Sequence, residues 1–267
     1  MTSEITFIGC GNMAQAMISG LSASKNRYQI NIIENDQKII DKVKDHLPIK
    51  VIKNIDYTQT DIIILAVKPK DIKEVCKNLK VKDSIIVSIA AGIQLKTIEK
   101  FMNGYKKLVR VMPNLCAFEG KSINAIYFNN AIDEKSKKSI DIIFKSIGSN
   151  IIFDEEIMID RATAISGSGP AYVFFFMQAL IEAALKLGLP EEESRKLVFG
   201  TLEGSCVVAK KNIDNLNQLI KNVSSKGGTT EAAITSFAKN NFKNIIENGI
   251  KDAANRASEI NDENSAS

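Results

Sequence analysis

Two short stretches carry residue types at spacings that do chemistry. The first is Gly9-Cys10-Gly11-Asn12-Met13-Ala14, which follows the apolar run Ile5–Ile8 and opens a helix-like segment. This G-x-G-x-x-A spacing suits a strand–turn–helix junction. Gly9 permits the tight turn, Gly11 has no side chain to hold a ligand away, and Ala14 is small enough for helix to pack on strand. The helix start then offers N–H groups to a pyrophosphate, so the expected ligand is a dinucleotide. The second stretch is Ser225-Lys226-Gly227-Gly228-Thr229-Thr230. Backbone N–H groups near Gly227 and Gly228, with the hydroxyls of Ser225 and Thr229, suit a carboxylate held as a nest. Thr230 opens a helix, whose dipole adds attraction for an anion. The plainer alternative is a helix N-cap at Thr229 or Thr230, with Glu231 in the first turn.

Other positions extend the first stretch. Glu34 follows the apolar run Ile30–Ile33, where a carboxylate accepts hydrogen bonds from ribose hydroxyls and repels a 2′-phosphate. That favours NADH over NADPH, with Lys38 softening the repulsion; the alternative is a solvent-facing loop residue. Ala66-Val67-Lys68-Pro69 follows Ile62–Leu65, and Ala90-Ala91-Gly92 follows Ile85–Ile89. Both stand at carboxyl ends of expected parallel strands, and their small residues leave room for a ribose or nicotinamide ring. Metal chemistry has few candidates. His46 is the only histidine, and Cys10, Cys76, Cys116 and Cys206 form no CxxC pair. No metal site is expected, nor a Ser-His-Asp or Cys-His unit, and reduced thiols fit a cytoplasmic protein.

These residues need a scaffold, and the hydrophobic pattern supplies one. Ile5–Ile8, Ile30–Ile33, Ile62–Val67, Ile85–Ile89 and Leu108–Met112 are short and rich in Ile and Val, as strands buried on both faces are. Helix-like segments at Met13–Leu21, Asp36–Leu47, Ile72–Leu79 and Leu95–Met102 alternate with them. That alternation predicts an α/β fold with a Rossmann-type, doubly wound parallel sheet. Two further strands are expected at Ile123–Phe128 and Asn150–Phe153, around a helix from Glu134 to Ile147. From 155 onward the pattern is all helical: Glu156–Leu187, Glu191–Lys211, Asn215–Asn222, Thr229–Lys239 and Phe242–Ile260, with a frayed Asn261–Ser267. The expected domains are 1–154, binding the dinucleotide, and 155–267, binding substrate and dimerising.

Composition bounds the partners. The chain has 267 residues, 45% hydrophobic and 25% charged, enough for one large domain or two ordinary ones. The net charge of +4 comes without a dense Lys/Arg block, so no nucleic-acid partner is expected. Met1 to Phe7 shows neither a basic nor an apolar signal-peptide region. The most apolar run, Ala171–Leu187, is interrupted by Gln178, Glu182 and Lys186 and falls short of the ~20 residues of a membrane span, so no membrane partner is expected. Phe174, Phe175, Phe176, Met177, Leu180, Ile181, Ala184 and Leu185 cover almost the whole circumference of that helix, which must then be buried. A helical tail of about 110 residues can hardly enclose it alone, which points to a subunit interface.

In their order, six pieces resemble the pyrroline-5-carboxylate reductase family over nearly the whole chain. They are Phe7 to Ala14, Ala66-Val67-Lys68-Pro69, Ser88-Ile89-Ala90-Ala91-Gly92, Arg110-Val111-Met112-Pro113-Asn114, Ser166-Gly167-Ser168-Gly169-Pro170-Ala171-Tyr172 and Gly227-Gly228-Thr229-Thr230. The first is generic to nicotinamide enzymes; the last two, correctly ordered in a helical tail, are far more specific. The resemblance implies a Rossmann domain, a helical domain that intertwines in a homodimer, and, in the family, rings of dimers. It implies NADPH or NADH bound by Ile8 through Ala14, Glu34, Ala66 through Pro69, Ala90 through Gly92 and Met112, Pro113 and Asn114, with Asn54 the nearest match to a further contact. It implies a small cyclic imino acid held by Ser225, Gly227, Gly228, Thr229 and Thr230, with Thr230 as the catalytic residue.

The reaction so implied is hydride transfer to the C=N carbon of 1-pyrroline-5-carboxylate, giving L-proline. A protonated imine is already electrophilic, so alignment and exclusion of water matter more than acid–base groups. The chain departs from the family at Lys226, where Pro is usual, at Leu115 and Cys116, where Thr and Pro are usual, and at Gln178, where Glu is common. Two alternatives stay open. A β-hydroxyacid dehydrogenase-like enzyme would need a Lys in the region Ser166 to Tyr172, which has none. A non-catalytic NAD(P)-binding protein would accommodate the departures.

Overall fold

The short Ile- and Val-rich runs become strands because both of their faces are covered. In Ile62-Ile63-Ile64-Leu65 the side chains alternate between two cores: Ile62 and Ile64 enter one, Ile63 and Leu65 the other. The computed structural model describes residues 3–24, 28–57 and 60–265. Its sheet has eight strands: β1 (Ser3–Ile8), β2 (Tyr28–Ile33), β3 (Lys50–Val51), β4 (Ile62–Leu65), β5 (Ile85–Ser88), β6 (Leu108–Met112), β7 (Ser122–Phe128) and β8 (Gly148–Ile152). Their order is β3-β2-β1-β4-β5-β6-β7-β8, parallel except for the β6–β7 pair. The Rossmann-type sheet expected from the βα alternation is present, with one strand more. β3 has two residues, too short for any periodicity to reveal.

Five helices cover the sheet: α1 (Asn12–Ala23), α2 (Gln37–Val43), α3 (Ile72–Asn78), α4 (Leu95–Phe101) and α5 (Glu134–Lys145). Ala14, Met17, Ile18 and Leu21 of α1 and Ile140, Ile143 and Phe144 of α5 join one core. Ile72 and Cys76 of α3 and Leu95, Ile98 and Phe101 of α4 join the other. Because β1 lies between β2 and β4, the chain leaves it in opposite directions. That opens a crevice at the strands' carboxyl ends, the usual ligand position in such sheets.

The helical stretch from Glu156 to Leu187 is interrupted beside Gly167, Gly169 and Pro170, residues that bend or break a helix. It consists of α6 (Ile157–Ala162), a π-helical turn over Thr163–Gly167, and α7 (Gly169–Lys186). Ser168 N–H donates to the Thr163 carbonyl (2.9 Å), an i→i−5 bond. Four helices follow: α8 (Glu191–Lys211), α9 (Leu216–Val223), α10 (Thr229–Lys239) and α11 (Phe242–Ser265). The expected fraying after Ile260 is corrected: α11 continues to Ser265, braced by Arg256 on Glu259 and Glu263 (2.7 and 2.8 Å), while Ala266 and Ser267 lie outside the described residues.

The chain forms two compact units, and these divide it differently from 1–154 and 155–267. One comprises 1–170 with 252–267; the other is Ala171–Lys251. In the second unit Phe176 and Phe237 both pack on the Phe242 ring, yet Ser194 and Val198 are the only buried side chains among its described residues. Phe175 is 75% exposed, so the burial expected of α7 is not met within one chain. The span Ile157–Lys186, π-helical turn included, also exceeds the expected apolar run. It is long and apolar enough to cross a membrane by length and composition alone. Core helices pass the same test.

Candidate active site

The glycine-rich turn is held from three sides. Gly9 N–H donates to the Ile33 carbonyl at the end of β2 (2.8 Å). Gly9 has φ +90°, and a Cβ there would stand 2.7 Å from the Ala66 carbonyl oxygen beyond β4. Only glycine satisfies both conditions. Gln15 donates its side-chain amide to the Cys10 carbonyl (2.8 Å). Gly11 caps α1, and a Cβ on it would meet nothing within 4 Å, so its backbone is open to close approach. α1 has no side-chain cap and no acidic residue in its first turn. The N–H groups of Asn12, Met13 and Ala14 are thereby left for an anion. The Cys10 thiol is buried, and burial, with the Glu34 charge second, pushes its pKa up to about 11. It fills space as a protonated thiol and is no nucleophile.

Glu34 corrects the picture of a wholly free turn. One carboxylate oxygen accepts the Cys10 N–H (2.8 Å), and the other accepts the N–H groups of Asn35 (2.7 Å) and Asp36 (3.0 Å). The residue is a clasp between the end of β2 and the turn, so the reading as a loose loop residue does not hold. A cleft of about 720 Å³ opens beside it. Ile8, Gly9, Cys10, Gly11, Glu34, Asn54, Ala66, Val67 and Lys68 all line this cleft, with Lys53, Tyr57 and Lys70, which carry no sequence pattern. Pro69 opens the 3-10 turn at its edge. A dinucleotide fits these features: an open Gly11 backbone, unengaged helix N–H groups, and a carboxylate beside the turn.

The remaining expected cofactor residues lie elsewhere in the same unit. Ala90 joins a core, and Gly92, with φ +70°, is buried against α11, where a Cβ would stand 2.7 Å from the Ala257 carbonyl oxygen. Met112 packs beside Gly167 of the π-helical turn, and Pro113 is buried. Asn114 is satisfied on every side. Its N–H donates to Ser122 Oγ (3.0 Å), its Nδ2 to the Ser166 carbonyl (3.0 Å), and its Oδ1 accepts from Cys116 N–H (3.1 Å). The small residues of Ser166 to Gly169 thus permit close packing on the loop after β6.

Sequence reasoning missed a buried ion cluster beside that loop. Arg110, 1% exposed on β6, pairs with Asp160 and with Glu156 (3.3 Å), and Glu156 also accepts the Leu95 N–H at the start of α4 (2.7 Å). Burial raises the Glu156 pKa, against the pull of the Leu95 N–H and Arg110. The clue was an arginine inside the apolar run Leu108–Met112: such a charge is tolerated only with buried partners.

In the helical unit, Gly227 has φ +72° and Gly228 N–H closes a turn onto the Ser225 carbonyl (3.0 Å). Gly228, not Thr229 or Thr230, is the N-cap of α10, and no side chain caps it. The hydroxyls of Thr229 and Thr230 make no hydrogen bond with the described residues. A Cβ on Gly228 would collide with Ser225 Oγ, so its absence lets that hydroxyl lie over the turn. Gly227 N–H is not free: it donates to Glu231 (2.7 Å). Among the described residues no three His, Cys, Asp or Glu side chains converge as metal ligands.

Comparison with known proteins gives the family. Residues 156–260 match the family described as pyrroline-5-carboxylate reductase dimerisation, and residues 4–92 the family described as NADP oxidoreductase, coenzyme F420-dependent. The pyrroline-5-carboxylate reductase of Pseudomonas aeruginosa is 34% identical over 265 residues, covering 97% of each chain. The crystal structure of Plasmodium falciparum pyrroline carboxylate reductase with NADP bound has a TM-score of 0.89 at 29% identity, covering 97% of this chain and 98% of that one. The enzyme of Coxiella burnetii has a TM-score of 0.84 at 32% identity, covering 97% and 99%. Relatedness of this extent has one reading: the chain belongs to the pyrroline-5-carboxylate reductase family, whose members are NAD(P)H-dependent oxidoreductases.

Proposed function

We propose that this chain reduces the C=N bond of 1-pyrroline-5-carboxylate with NAD(P)H and one proton, giving L-proline in the final step of proline biosynthesis. The observation that carries this is the pairing, in one chain, of an open Gly11 backbone at a Rossmann crevice with a Ser225–Thr230 turn whose threonine hydroxyls are unengaged. The bound nicotinamide supplies the hydride. The chain's own residues bind and align. Gly9, Gly11 and the first turn of α1 take the pyrophosphate, Glu34 takes the ribose, and Ala66 through Pro69 bound the crevice. Ala90 through Gly92, Met112, Pro113, Asn114 and Asn54 complete the cofactor set. Ser225, Gly227, Gly228 and Thr229 hold the substrate carboxylate, and the Thr230 hydroxyl hydrogen-bonds the ring nitrogen. The Arg110–Glu156–Asp160 cluster positions the loops after β5 and β6 rather than touching substrate.

In this reading 1–154 is the dinucleotide domain and 155–267 binds substrate and dimerises. The dimer, with rings of dimers beyond it, is supported by the match of 156–260 to a dimerisation family and by the exposed α7 phenylalanines. The protein works in the cytoplasm, without nucleic-acid or membrane partners. Steady-state oxidation of NADH and NADPH with the cyclic imine tests the activity; cofactor binding without turnover would favour the non-catalytic alternative. A monomer by light scattering at micromolar concentration would remove the dimer.

A further inference from the structure

The Ser225–Thr230 turn already grips a carboxylate, and it is the chain's own. Glu231 Oε2 accepts the Gly227 N–H at 2.7 Å, and Gly227 is set for this by its φ of +72°. One N–H cannot serve two carboxylates, and two carboxylates at one turn repel each other. We infer that Glu231 is an internal competitor for the substrate's carboxylate and sets the substrate affinity of this enzyme. The inference rests on the reading of this turn as the substrate site.

Three observations shape it. Glu231 sits at the third position of α10, and Gly228, the cap, has no side chain, so the glutamate does the anchoring a capping side chain would otherwise do. Its target is a single exposed N–H, a bond that water or a second anion can replace. The other donors of the turn remain available: the hydroxyls of Thr229 and Thr230 and the N–H groups of the first helical turn, with Lys226 the nearest cation in sequence. An incoming carboxylate therefore has partners before Glu231 lets go, and exchange needs no rearrangement of the helix. The competition acts only on ligands that bring a carboxylate of their own. A neutral cyclic imine gains nothing by displacing Glu231.

Glu231→Gln in the full chain separates charge from capping, because the glutamine oxygen still accepts the Gly227 N–H. The KM for 1-pyrroline-5-carboxylate and the inhibition constant of L-proline are each expected to fall about fivefold at low salt, with the effect shrinking as salt screens it. The KM for 1-pyrroline, which lacks the carboxylate, is expected to stay in place. A KM for the imino acid that is unchanged or raised, with helical circular dichroism intact, overturns the inference and leaves Glu231 a helix cap. Thr230→Ala, run in parallel, tells the two failures apart. Lost turnover there with no Glu231→Gln effect sinks only the competitor, whereas full turnover in both variants sinks the substrate site as well.

Discussion

The two anion-seeking turns of this molecule solve one problem in opposite ways. The turn at Gly9–Gly11 is built by its surroundings: β2 receives the Gly9 N–H, the Ala66 carbonyl leaves no room for a Cβ, and Gln15 braces Cys10. The turn at Ser225–Thr230 is built by its own backbone. Gly227 has nothing within 4 Å of where a Cβ would be, and its main contacts are local bonds among Ser225, Gly228 and Glu231. Each turn nonetheless has one N–H clasped by a glutamate, Glu34 in the first and Glu231 in the second. In the proposed function, the turn for the large cofactor is made rigid by packing, while the turn for the small substrate is kept open. Both hold a carboxylate where an anion belongs.

Substitutions can break this comparison, and the largest effect is expected at the packed turn. Gly9→Ala combines a disfavoured φ with a collision against Ala66, for a loss of about 2–4 kcal/mol in chemical denaturation and of dinucleotide binding in titration calorimetry. A stable variant that still binds would show that the packing is softer than it looks. Thr230→Ala should cut turnover about 10- to 100-fold while leaving the cofactor dissociation constant within about twofold. An unchanged turnover number would refute the role of that hydroxyl.

The clasp at the first turn is next. Glu34→Gln removes the charge that opposes a 2′-phosphate, and the ratio of kcat/KM for NADPH over NADH should rise roughly three- to tenfold. Equal efficiency of the unaltered enzyme with both cofactors would show that Glu34 does not discriminate. The smallest effect is expected at the open turn. Gly227→Ala meets no neighbour, so its cost in thermal denaturation should be about 1 kcal/mol, from backbone conformation alone. A cost matching that of Gly9→Ala would mean that the two turns are built alike after all.

Much of the sheet unit was legible because its elements answer to local chemistry. Runs such as Ile62–Leu65 read as strands because burial on both faces demands apolar residues at every position. Gly9 and Ala14 of the glycine-rich turn read correctly because each answers a separate steric need, a positive φ with no room for a Cβ and a place in the core. The two-residue β3, the π-helical turn at Thr163–Gly167 and the continuation of α11 past Ile260 did not. β3 exists only by pairing with β2, and the π-helical turn, closed locally, packs against Met112 and Asn114. The end of α11 is the clearest case: its helix is held by packing of Ala257 and Ile260 on Gly92 and by Asn261, whose Oδ1 accepts the Gln94 N–H (3.3 Å), across about 167 residues of chain.

The sequence by itself determined the fold class, the order of βα units, the family and the two turns, because periodicity, glycine spacing and motif order are properties of neighbouring residues. Only the tertiary structure decided that Glu34 clasps the Cys10 N–H, that Arg110 is neutralised by Glu156 and Asp160, and that Gly92 is needed for the approach of α11. The reason is physical: a carboxylate or a missing Cβ acts through space over a few ångströms, and only the folded chain brings distant residues that close.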